Sequence, residues 1–224
     1  MDLNVKVKEK MTGTLSLGGG YSSVDKLMAI AEISQGNLGG RGQLLKFKVQ
    51  WGKTRKLYMA SFMEPYLFDK PIWGRVDVYR QDTDYDGYSL KTEGFGLSMG
   101  KSFTEYVSAS LRYAYDTSDY IQKSGQTLPF LVQQQITAYG KQLLRTSSVT
   151  ASVARDSRDF YLDPKTGSRN SVSFTYAGGP LGGDPEFTKE TADSAWYFPL
   201  FWDTVVMVRG RFGYAGSLID KPLP

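Results

Sequence analysis

The chain has 224 residues, a formal net charge of +4 and neither cysteine nor histidine, so disulfides and thiolate or imidazole metal sites are excluded and the commonest catalytic base is missing. Its 27 basic residues are scattered rather than clustered, which argues against nucleic-acid binding. No apolar run approaches the ~20 residues of a membrane helix, but a hydrophobic fraction of 41% suits a transmembrane barrel, in which half of each strand faces water.

The predicted elements begin at the first residues. Leu3, Val5 and Val7 oppose Asn4, Lys6 and Lys8, a strand that suits the end of a small soluble domain. A start inside a strand predicts a piece of a longer protein. Thr12 to Tyr21 is extended but weak, because Gly13, Gly18, Gly19 and Gly20 add chain entropy and no packing. Lys26 to Ser34 follows with Leu27, Ala29, Ala31 and Ile33 on one face, and Gln35 to Gly40 reads as a turn by composition.

Leu45, Phe47, Val49 and Trp51 then oppose Lys46, Lys48 and Gln50, the clearest alternation in the chain. Arg55 to Met63 returns. Glu64 to Pro71 breaks the pairing with two prolines and places Tyr66 and Phe68 near strand ends. Val76 and Val78 make a further strand, and the acidic stretch Gln81 to Gly87 reads as a loop.

Phe95, Leu97 and Met99 oppose Gly94, Gly96, Ser98 and Gly100, while Val107, Ala109, Leu111, Tyr113 and Tyr115 oppose Ser108, Ser110 and Arg112. A soluble sandwich covers its apolar face with a second sheet and carries long charged residues on the other. Here the polar side is small, which suits the lumen of a wide barrel, and strands of roughly ten residues match a tilted membrane strand. Thr117 to Thr146 is the longest predicted connection and too apolar for a linker, as expected of a loop folding partly over a pore.

Val149, Ala151 and Val153 lead into a turn over Arg155 to Arg169, from which Val172, Phe174 and Tyr176 return. Asp163 is the expected acceptor of backbone hydrogen bonds, Pro164 presets its own φ, and Gly167 supplies the positive φ that starts the return strand. Asp156, Asp159 and Asp163 also suggest a metal or acid–base cluster, but aspartates so placed more often cap turns. After a Gly-rich loop at 178–185, Trp196 to Trp202 gathers aromatics at strand ends, as an interfacial girdle requires. Val206, Val208 and Phe212 against Arg209 and Arg211 form the last strand, and 216–224 enters a loop.

The reading is all-β: an antiparallel transmembrane barrel with about eleven strands present. Tight turns are expected to alternate with longer loops, as in outer-membrane barrels, with the turns at 35–40, 64–71, 101–104, 156–167 and 199–203 on the periplasmic side.

These residues resemble the outer-membrane assembly factors of the BamA type. The most specific stretch is Arg155-Asp156-Ser157-Arg158-Asp159 leading through Leu162-Asp163-Pro164-Lys165-Thr166-Gly167-Ser168-Arg169, similar to the family's turn before the ninth barrel strand. Asn37 to Gly42 and Glu64 to Phe68 resemble its first two periplasmic turns, and Tyr176 to Asp184 the loop that follows the ninth strand. Val5 to Glu9 looks like the end of the last periplasmic POTRA domain, which gives residues 1–10 to that domain and 11–224 to an incomplete barrel. The resemblance implies a sixteen-stranded parent barrel and a later loop carrying an arginine-glycine-phenylalanine motif.

It also implies a non-enzymatic insertase without cofactors, whose partners are unfolded outer-membrane proteins, outer-membrane lipid and accessory assembly lipoproteins. The gate for substrate strands would be Thr12, Gly13, Thr14, Leu15, Ser16, Leu17, Gly18, Gly19 and Gly20. Asp156, Asp159, Asp163, Pro164, Gly167 and Arg169 would hold the structural turn. Protein secretion through the pore, or a passive porin or adhesin, is the alternative; a porin has no need of a soluble domain ahead of its barrel.

Overall fold

Alternation along the chain becomes eleven antiparallel strands, each paired with its neighbours in sequence: β1 (Gly13–Ser22), β2 (Lys26–Leu38), β3 (Gln43–Trp51), β4 (Arg55–Glu64), β5 (Trp73–Asp84), β6 (Tyr88–Ser102), β7 (Val107–Gln122), β8 (Leu143–Asp156), β9 (Gly167–Ala177), β10 (Phe187–Pro199) and β11 (Val205–Ser217). Among the described residues an α-helix, α1 (Phe130–Tyr139), lies between β7 and β8. This computed structural model describes residues 11–23, 26–202 and 204–223, so the predicted strand over Leu3 to Lys8 and the predicted domain end at 1–10 lie outside it.

The register sorts side chains onto two faces. Phe47, Ala60, Val78, Phe95, Tyr115 and Ser147 follow one another across β3 to β8, and Val153, Val172, Ala192 and Phe212 continue the same face across β8 to β11. This outward face is apolar and open: Phe47 is 47% exposed, Leu97 46% and Val172 61%. Buried apolar residues among those described are few, Tyr120, Leu144, Ala177 and Ala195, so no conventional core exists. An apolar band of this size requires lipid or detergent.

The inward face carries three charge clusters. Lys46 pairs with Glu32 at 2.8 Å, Asp77 joins Arg75 and Arg112, and Asp193 joins Arg209 and Arg211. The small residues of β6 serve these long side chains. A Cβ at Gly96 would meet the Arg112 guanidinium, and one at Gly100 would lie 2.5 Å from the Trp73 ring. The lumen wall is therefore small where neighbouring strands lay a large side chain across it.

Three predicted loops are largely regular structure. Gln35 to Leu38 belongs to β2, because the Gly36 N–H donates to the Thr12 carbonyl at 3.0 Å and a bulge between Gln35 and Leu38 keeps β3 in register. Gln81 to Asp84 belongs to β5, where Asp82 stands between Lys56 and Lys91 in the register and pairs with Arg80 of its own strand at 3.3 Å. In the longest connection, β7 runs on to Gln122 and α1 fills 130–139, opened by Pro129 and closed by Gly140 in the left-handed conformation.

The expected alternation of turn lengths does not hold. The connections 52–54 and 85–87 are as short as any on the opposite rim, where 157–166 is long. What distinguishes the rims is that the longest connection, 123–142, and the 178–186 loop lie on the same one and are tied together by Asp184, which accepts from Lys141 Nζ at 2.5 Å and the Arg145 N–H at 2.7 Å. We call this the loop rim and the other the turn rim. The loop before α1 leans on the β5–β6 hairpin, where Gln126 accepts from the Gly87 N–H at 2.8 Å. Gln135 of α1 is buried beside Tyr120 of the lumen face.

Candidate functional site

The predicted gate residues fall together on β1, apart from Thr12, which directly precedes it. Gly13 to Ser22 pair with β2 from Gly13↔Gln35 to Ser22↔Lys26 without a register break. The edge of β1 facing β2 is therefore laddered along its whole length. Its far edge has no neighbour among the described strands, nor does that of β11.

The pleat sets Leu15, Leu17 and Tyr21 outward and Thr14, Ser16, Gly18 and Gly20 toward the lumen. Leu17 is 74% exposed. Neither Gly18 nor Gly20 has a neighbour within 4 Å of an added Cβ, so no steric demand requires glycine there. Their effect is on chain entropy: they make the ordered edge costlier to hold and leave its main chain uncovered. Where β1 begins, Gln35 Nε2 donates to Thr12 Oγ1 at 2.7 Å and anchors that end.

The second predicted element is the turn at 157–166, and the structure reassigns its acceptor. Asp159, rather than Asp163, receives the N–H groups of Phe160, Lys165 and Thr166 at 2.9, 2.9 and 3.1 Å. Those bonds, that from Thr166 first, hold its carboxyl below the usual carboxylate range. Asp163 lies in a bend before Pro164 with no such bonds, because the turn is closed by Asp159, whose own N–H donates to the Thr166 carbonyl at 3.3 Å. Asp156 instead binds Arg158 in a fork, Nε at 2.8 Å and Nη2 at 2.6 Å, and Arg169 stands opposite it in the register. No group of three potential metal ligands occurs among the described residues, and the three aspartates do not converge on one point in this hydrogen-bond pattern.

The side of the turn facing β9 is fixed by Gly167 at φ 95°. Ser157 Oγ lies 3.2 Å from Ser168 Oγ, and the Ser157 N–H donates to the Ser168 carbonyl at 2.8 Å. Sequence reasoning missed α1 and the fork between Asp156 and Arg158. Pro129 and Gly140, spaced to bracket a helix, were the available signal for the first.

A single sheet of adjacent antiparallel strands, apolar outside and charged inside, with a free edge at each end, defines a segment of a transmembrane β-barrel. Residues 37–224 match the Omp85 superfamily domain. The chain is 28% identical over 233 residues to the outer membrane protein assembly factor BamA of Neisseria meningitidis, covering 97% of this chain and 28% of that protein. It is 26% identical over 213 residues to BamA of Nitratidesulfovibrio vulgaris, covering 95% and 26%. The crystal structure of Haemophilus ducreyi BamA lacking POTRA domains 1–3 superposes with a TM-score of 0.82 at 20% identity, over 97% of this chain and 43% of that one.

The chain thus belongs to the Omp85 superfamily, as a BamA-type barrel in part, and its place is the bacterial outer membrane. It spans about a quarter of the length of these relatives.

Proposed function

We propose that this barrel segment belongs to a non-enzymatic factor that folds other β-barrel proteins into the outer membrane, with β1 as the edge on which an incoming strand is templated. The observation that carries this reading is the make-up of β1, which exposes Leu15, Leu17 and Tyr21 on the lipid-facing side while Gly18 and Gly20 have nothing within 4 Å of an added Cβ. Strand addition gains its affinity from main-chain hydrogen bonds and so accepts many sequences.

A short apolar band supports it. On β5 Val76 and Val78 face lipid before Arg80, which pairs with Glu93 at 2.9 Å, and a bilayer beside so short a stretch thins to match it. The relatives named as assembly factors agree in function class. Unfolded outer-membrane proteins are the substrates on this reading. Accessory lipoproteins are expected to bind the turn rim, which faces the periplasm, with α1 and the 178–186 loop outside.

Crosslinking tests the mechanism. The chain has no cysteine, so a single cysteine at Thr14 or Ser16 of the full-length protein is the only thiol in this region. Disulfides are expected with a cysteine in the terminal strand of a nascent outer-membrane protein, in a register-dependent pattern. Normal assembly without crosslinks at any register would eliminate templating and leave membrane thinning alone.

A further inference from the structure

The connection between β4 and β5 does more than turn the chain. It folds back so that Leu67 covers the outward face of Gly74, where an added Cβ would stand 3.2 Å from Leu67 Cδ1. Between Leu67 and the strands lies a cavity of about 330 Å³, within the usual size range of ligand pockets. Its walls include Phe62, Val76, Leu97, Met99 and Leu111, all on the lipid-facing side of the register.

The apolar groove leads to a polar mouth. Glu64 lines both it and a second concavity of about 630 Å³ at the turn rim, whose other walls are Arg41, Tyr66, Phe68 and Asp69. One cation and two carboxylates are thus gathered beside two exposed aromatics at the level where headgroups lie. Glu64 is held in place by Gln43 Nε2 at 2.6 Å and the Tyr66 N–H at 3.0 Å. Phe68 and Asp69, at φ 56° and 58°, occupy the left-handed region that non-glycine residues seldom adopt. Such backbone persists where the surroundings impose it, often at a binding site.

We propose that this is a seat for one phospholipid with a primary-amine headgroup: an acyl chain in the groove beneath Leu67, the phosphate on Arg41 and the ammonium on Glu64 and Asp69. The pairing follows from charge, since a lone anionic headgroup would face two carboxylates with one cation. Bound there, the lipid would fix the β4–β5 connection against the sheet near its turn rim. The inference rests on the membrane-spanning sheet and not on strand templating.

Native mass spectrometry of the full-length protein, released from nanodiscs of mixed phosphatidylethanolamine and phosphatidylglycerol, tests it. One phosphatidylethanolamine should be retained preferentially. Arg41→Ala and Glu64→Gln should each weaken retention roughly tenfold, the loss expected for one charge-assisted contact. Gly74→Leu, which displaces Leu67, should abolish it. Equal retention of both lipids, or retention unchanged in Arg41→Ala and Glu64→Gln, would show annular lipid only and overturn the proposal. Those two turn-rim variants, of which Arg41→Ala alters an exposed side chain, keep the test decisive if Gly74→Leu does not fold.

Discussion

The α-carbon of Gly167 faces the backbone of Ser157 so closely that an added Cβ would lie 2.7 Å from the Ser157 carbonyl carbon and 2.9 Å from Arg158 Cα. With φ at 95°, this position excludes a side chain on two independent grounds. Gly167→Val should therefore cost at least the ~1–3 kcal/mol of a forced backbone and misplace β9 against β8. Heat-modifiable gel mobility of the full-length protein reads the outcome. A Val variant with the native fraction of folded barrel would show that the 157–166 turn yields without consequence.

Asp159 gives a pH-dependent prediction. Its three backbone N–H donors keep the folded carboxyl pKa below its ordinary value, so folding is favoured by the ionised form. That contribution is fully present above the unfolded pKa of about 4 and disappears as pH falls through the lowered folded value. Urea midpoints of the wild type and Asp159→Ala should differ at pH 7 and converge near pH 2. A constant gap across that range would mean the carboxylate charge is irrelevant to the turn.

The strand order and the two faces were legible because period-two alternation survives wherever one face meets lipid, as in Phe95, Leu97 and Met99. Boundaries were not legible where pairing overrode composition. Asp82 looks like a loop residue until Lys56 and Lys91 are seen on either side, information carried by strands distant in sequence. The same applies to Gln35 to Leu38, held by Thr12, and to Asp159, which precedes the Pro-containing stretch that composition marks as the turn. The gate residues were legible as one extended stretch, which the structure places in and directly before β1. Its pairing with β2 along the whole length lay outside what glycine content reports, which is chain entropy and not the partner's complementarity.

The assignment of faces predicts opposite tolerance for one charge. Leu97 faces lipid near the middle of β6, whereas Ser152 faces the lumen among small neighbours, opposite Ser110 and Ser173. Leu97→Arg should destabilise the membrane-inserted barrel by about 2–4 kcal/mol and Ser152→Arg by much less. Urea unfolding from lipid vesicles measures both. Equal costs would contradict the orientation of the sheet.

Inside the lumen, Asp77 is 3% exposed and receives Arg75 Nε at 2.7 Å and Arg112 Nη1 at 3.1 Å, while Ser61 and Ser98 receive the same two guanidinia at 3.0 and 3.1 Å. One carboxylate thus ties β4 through β7 into a single network. Asp77→Ala leaves two arginines side by side without their shared anion. Because both guanidinium side chains are about 40% exposed and can rehydrate, the expected loss is about 2 kcal/mol, below that of a dry buried pair. Arg112→Met should lose less, and the double variant Asp77→Ala with Arg112→Met should be less destabilised than the sum of the two. A coupling above about 0.5 kcal/mol in that cycle marks a direct interaction. Strict additivity would show that water, rather than Arg112, balances the Asp77 charge, and the lumen wall would then owe its order to the strand ladder alone.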